Sequence, residues 1–113
     1  KGAQIDEQGR STARWRPKYG AVEWLNLACE HLNVELDDLS GRGRSPEIVK
    51  MRELIGMVGI ERFGVKVADL ADVLGKSRDG VSCWMRRGVK RRATEPDFAA
   101  AAKRLEHIAT EAP

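Results

Sequence analysis

The sequence predicts an all-α domain, an approximately six-helix bundle containing a helix-turn-helix and preceded by a flexible N-terminal linker. Three observations lead there. From Gly20 onward apolar residues recur at helical spacing and nowhere alternate long enough to make a strand. Start and stop signals cut that periodic region into helix-sized pieces. The chain has 113 residues, 42% of them hydrophobic, so folding buries roughly two-thirds of the unfolded surface without metal or disulfide staples. A full-sized enzyme barrel or dinucleotide fold does not fit that length. No run approaches the ~18 to 20 consecutive apolar residues of a membrane span, and residues 1–10 lack the apolar stretch of a secretory signal. The expected protein is soluble and cytoplasmic.

Residues 1–19 form the expected linker or arm and residues 20–110 the domain. The opening KGAQIDEQGRSTARWRPK holds no sustained apolar period, and a chain that begins with a linker reads as part of something longer. Arg14, Arg16 and Lys18 flank Trp15 and Tyr19, either as a nucleic-acid arm or as an aromatic anchor on the core. The anchor is the preferred reading, because large aromatics tend to pack.

Val22, Leu25, Cys29 and Leu32 fall on one face of the first helix. Asn33 to Leu39 is a turn-sized second helix closed by Ser40-Gly41. In GRGRSPE, Ser45 can cap a third helix, Pro46 suits its first position and Glu47 its positive end. Ile48, Met51, Ile55 and Val58 give that helix an apolar face, Gly56 and Gly59 permit close helix contact, and Gly64 can supply the left-handed cap.

Val67, Leu70, Ala71 and Leu74 then make a short amphipathic helix; Gly75 permits a tight turn, Ser77 can cap the next helix, and Val81 with Met85 gives it a buried face. Gly88 is expected to end that helix early and leave Val89 to Arg92 as a basic tail. Thr94 is the expected cap of a sixth helix, with Pro96 and Asp97 in its first turn and Phe98, Ala101, Ala102, Leu105 and Ile108 as its apolar face.

Charge is unevenly spread. Ala21 to Leu39 carries five acids and no Lys or Arg, whereas Lys76 to Arg92 carries seven basic residues and one acid. Clustered cations steer a polyanion, and with helix-turn-helix spacing they make double-stranded DNA, linear or hairpin, the expected partner. The recognition helix would enter the major groove, where Arg78 and Arg86 are the leading base readers, because a guanidinium matches the N7 and O6 acceptors of guanine. Asp79 and Ser82 share that polar face. Arg42, Arg44, Lys76, Ser77, Arg87, Lys90 and Arg91 are assigned to the DNA backbone. Trp84 either fills a core gap or stacks on nucleic acid, the core being preferred.

The order of elements resembles the C-terminal DNA-binding domain of the bacterial replication initiator DnaA, and more closely the DnaA-like module attached to REP-associated tyrosine transposases. ACEHLNVELDDLSGRGRS is similar to that family's opening helices and basic loop, SPEIVKMRELIGMVGIERFG to its long helix, and VADLADVLGKSRDGVSCWMRR to its helix-turn-helix. The resemblance covers roughly two-thirds of the chain. It implies the architecture, backbone binding by Arg42 and Arg44, and a base-facing location for Arg78, Asp79, Ser82 and Arg86. Ser77, Arg78, Asp79 and Gly80 stand near the initiators' Asp-His-Thr-Thr signature, so their origin preference is not implied here. It also implies a nucleoid location and a transposase-like or initiator-like parent.

No catalytic constellation stands out. Leu74-Gly75-Lys76-Ser77 imitates the end of a P-loop, but the earlier glycine and preceding strand are missing. Asp37 and Asp38 diverge around a helix. The His-hydrophobe-His motif of tyrosine transposases is lacking, so Tyr19 is no evidence for a nucleophile. Cys29 and Cys83 belong to no CxxC pair and read as reduced core residues, and with His31 and His107 they make no expected metal site. The expectation is a binding module without cofactor, metal or small-molecule substrate. The competing expectation is a helical protein-interaction domain that has the fold without DNA readout.

Overall fold

A computed structural model describes residues 17–111. Six helices follow one another: α1 (Ala21–Leu32), α2 (Leu36–Ser40), α3 (Pro46–Phe63), α4 (Val67–Leu74), α5 (Arg78–Thr94) and α6 (Pro96–Glu111). No strand occurs among the described residues, so the all-α expectation holds. None of these helices is long and apolar enough to cross a membrane. The predicted arm residues Arg14, Trp15 and Arg16 lie outside the described residues.

Local chemistry sets the boundaries. Ser45 Oγ accepts the Ile48 N–H at 3.3 Å, with Pro46 in the first turn of α3, which satisfies one orphan donor and wastes none. Gly64 (φ 71°) ends α3 and Gly75 (φ 65°) ends α4 in the left-handed region that costs glycine little. The second helix is shorter than expected, because Asn33 takes the left-handed cap of α1 (φ 57°). Thr94 is no cap for α6. It belongs to α5, and its hydroxyl donates back to the Lys90 carbonyl at 3.2 Å.

α3 is the central element, buried at every position from Arg52 to Gly59. Trp24 of α1 is fully buried against it, and its indole Nε1 donates to the Ile55 carbonyl at 3.0 Å. A Cβ on Gly59 would lie 2.3 Å from that nitrogen, so the indole fits only over a residue without a side chain. Seating Trp24 rotates α1 from its expected face. Ala21, Trp24, Leu25 and Ala28 are buried, while Val22 is 56% exposed.

Tyr19 completes an aromatic cluster, its ring 5.7 Å from Trp24 and 5.5 Å from Phe63. Its hydroxyl donates to the Ala109 carbonyl at 2.6 Å and its N–H to the Phe63 carbonyl at 3.1 Å. For Tyr19 the anchor reading is the one observed.

The most extensive helix contact is α5 on α3. Gly88 does not end α5, which continues to Thr94. It is buried, and a Cβ there would meet the Glu53 carbonyl oxygen at 2.7 Å and Met57 Cβ at 2.8 Å. The glycine is therefore a point of close approach. Trp84, half-buried, lies over Gly56 one turn earlier, where a Cβ would sit 3.4 Å from the tryptophan Cβ.

Alanine at an unconstrained helical glycine gains up to ~1 kcal/mol. At Gly88 the clash with backbone reverses the sign: Gly88→Ala is expected to destabilise the domain by about 1 to 3 kcal/mol. Urea unfolding followed by circular dichroism measures it, and a stabilised variant would show that α5 does not need this approach.

Candidate nucleic-acid interface

α4 and α5 are joined by Gly75, Lys76 and Ser77. The turn is closed by its own backbone, with the Lys76 N–H donating to the Ala71 carbonyl at 2.9 Å. Ser77 Oγ then accepts the Gly80 N–H at 3.0 Å, so its oxygen already serves as the cap of α5.

A helix turns ~100° per residue, and the close approach at Gly88 fixes how α5 is rotated. Val81, Trp84 and Gly88 face α3. Ser82, Arg86 and Lys90, each four residues after the last, then run down the outer side with Asp79. Arg78, Asp79, Arg86, Arg87 and Lys90 are exposed and Ser82 is half-buried.

Arg42 and Arg44 are exposed on the loop between α2 and α3. That loop is held from beneath by Arg52, only 8% exposed on α3. Its Nε donates to the Leu39 carbonyl at 3.0 Å, Nη1 to Gly43 at 2.7 Å, and Nη2 to Asp38 at 3.0 Å and Gly41 at 2.9 Å. From the α4–α5 turn, Lys76 Nζ donates to the same Gly41 carbonyl at 2.8 Å. The loop and the turn therefore meet at one oxygen. Sequence reasoning missed Arg52; the available signal was a charged pair, Arg52-Glu53, inside an apolar stretch.

Two arginines near the end of α5 are paired with carboxylates. Arg91 Nε donates to Glu53 Oε1 at 2.6 Å and Nη1 to Glu95 Oε2 at 2.9 Å, and its guanidinium lies 5.8 Å from the Phe98 ring. Glu53 is 2% exposed and Arg91 25%. Arg91, expected at the DNA backbone, is thus engaged within the fold: the helix continues past Gly88 and turns Arg91 toward a buried carboxylate. Arg92 makes a two-pronged pair with Glu61, at 2.6 and 3.3 Å. Hydrogen bonding raises the pKa of both guanidiniums and lowers that of the Glu61 carboxyl.

Among the described residues, none forms a hydrogen bond or ion pair with the side chains of Arg42, Arg44, Arg78, Arg86, Arg87 or Lys90. Four of these side chains lie on α5 and two on the neighbouring loop.

Trp84 is neither fully buried nor free. Its ring packs on α3 and lies 6.0 Å from the Arg52 guanidinium, within cation–π range. Cys29 and Cys83 are free and half-buried, and Cys29 packs against the core. Burial, and then the nearby Glu35 and Asp38, push the Cys29 thiol up, which disfavours the thiolate. No group of three or more His, Cys, Asp or Glu able to hold a metal ion occurs among the described residues. Comparison with protein families, curated proteins and solved structures finds no match to this chain.

Arg91→Met strips the buried Glu53 of its guanidinium and is expected to cost roughly 2 to 4 kcal/mol in urea unfolding. A loss under 0.5 kcal/mol would be the ordinary surface value and would place Glu53 in water. Glu61 gives a pH signature. Its carboxyl titrates below its ordinary value of 4.5 in the folded state, so its stabilisation is complete above that value and is lost as pH falls through the lowered one. The urea midpoint should drop as pH falls below about 4.5, and Glu61→Gln should flatten part of that drop.

Proposed function

We propose that this domain binds double-stranded DNA, with α4 and α5 acting as a helix-turn-helix and the outer side of α5 lying in the major groove. The observation that carries this reading is the sorting of cations. Arg91 and Arg92 are engaged by carboxylates, whereas Arg42, Arg44, Arg78, Arg86, Arg87 and Lys90 have no such partner among the described residues and stand on α5 and on the loop that the turn before α5 meets at the Gly41 carbonyl. A protein pays self-repulsion to gather such charges, and a polyphosphate relieves it.

Arg78 and Arg86, with Asp79 and Ser82 between and beside them, are assigned to base edges. Arg42, Arg44, Arg87 and Lys90 are assigned to phosphates, supported by Lys76 and Ser77 at the turn. The helix order, with a basic loop before the long helix and a leucine-glycine pair at the turn, supports kinship with the DnaA-like DNA-binding module. The domain would serve as the DNA-targeting part of an initiator-like or transposase-like protein on the nucleoid, with no catalytic role of its own.

Fluorescence anisotropy with labelled linear and hairpin duplexes over a salt series tests the reading. Affinity should fall with salt at a log–log slope of about −0.9 per neutralised phosphate. Arg86→Ala should cost about 1 to 3 kcal/mol and relax preference at one base pair, while Arg87→Ala should weaken all sequences alike. Failure to bind any duplex at low salt would overturn the reading and favour a protein-interaction domain.

A further inference from the structure

We propose that Arg52 is a positioning residue that locks the loop of residues 41–45 to α5, so that the loop arginines and the outer face of α5 meet DNA as one preformed surface. This deepens the DNA-binding reading above and rests on it.

A guanidinium is costly to bury unless its N–H groups find partners. Arg52 finds them in four carbonyls, those of Asp38, Leu39, Gly41 and Gly43. Two of those belong to α2 and two to the loop that follows, so one side chain caps a short helix and then dictates where the next residues run. The loop needs such a device. Gly41 and Gly43 alternate with Arg42 and Arg44, and a glycine-rich segment carries much backbone freedom to lose.

With the Gly43 carbonyl drawn inward by Arg52 at 2.7 Å, the loop is pinned between its two exposed arginines. Trp84 of α5 covers the same guanidinium at 6.0 Å, and Lys76 shares the Gly41 acceptor. The clamp therefore touches the loop, the turn and α5 at once. A loop ordered in advance loses less entropy on binding than one ordered by the ligand.

Arg52→Lys tests this without changing net charge, because an ammonium cannot reproduce the planar fork. The first readout needs no DNA. Trypsin cleaves after Arg42 and Arg44, and in the folded full chain that cleavage should accelerate about tenfold in the variant. Cleavage at arginines within α5 should stay unchanged.

The second readout is a double-mutant cycle on duplex binding. Truncating Arg42 and Arg44 to Ala should weaken wild-type binding, and should weaken the Arg52→Lys protein at least threefold less, because the loop has already lost its placement. If the costs add in full, Arg52 is merely structural and the proposal is overturned; unchanged loop cleavage overturns it equally. Absence of duplex binding by wild type would overturn the DNA reading and this role together, and loop protection that still depends on Arg52 would identify that failure as one of the DNA reading. If Arg52→Lys does not fold, Lys76→Met, which removes the second donor to Gly41, undergoes the cleavage measurement with the same criterion.

Discussion

Helix α5 lies so close to α3 that a methyl group on Gly88 would collide with the Glu53 carbonyl, and this approach governs the rotation of α5 about its own axis. With Gly88 inward, Val81 and Trp84 must follow it into the contact, and Arg91 must point at the interior. Ser82, Arg86 and Lys90 must then face away. The exposed character of the basic face is in this sense a packing result: exposed side chains such as Arg86 and Lys90 are aimed by a residue that has no side chain.

Two adjacent buried charges on α3 are handled by different means. Glu53 receives a guanidinium from α5, and its cost is offset by opposite charge and a short hydrogen bond. Arg52 receives carbonyl oxygens in place of a carboxylate, four partial charges gathered from a helix end and a loop. The first joins α3 to α5 and the second joins α3 to α2 and its following loop. Replacing either by an apolar residue would remove a desolvation cost, but it would also remove what fixes a neighbouring segment in place.

Much of this fold was legible because its signals are local. Ser45-Pro46, Gly64, Gly75 and Ser77 each act within a turn of their own position, so the sequence marks α3, the end of α4 and the start of α5 nearly to the residue. What escaped depends on distant partners. Gly88 carries the same local signal as a helix stop, and only Met57 and Glu53 across the interface make it a contact point. Val22 has the right spacing for the core, but Trp24 takes the space over Gly59 and turns Val22 outward. Thr94 stands two residues before a proline and looks like a cap, yet α5 extends far enough to absorb it. In the candidate interface the polar positions of α5 were legible from helical period, whereas the division between paired and unpaired arginines was not. Arg91 and Arg92 differ from Arg86 and Arg87 only in what stands opposite them.

The bond from the Tyr19 hydroxyl to the Ala109 carbonyl, 90 residues apart at 2.6 Å, ties the residues just before α1 to the last turn of α6. The start of α1 and the end of α6 are therefore not free to fray separately: loosening either one strips the other of a hydrogen-bond partner.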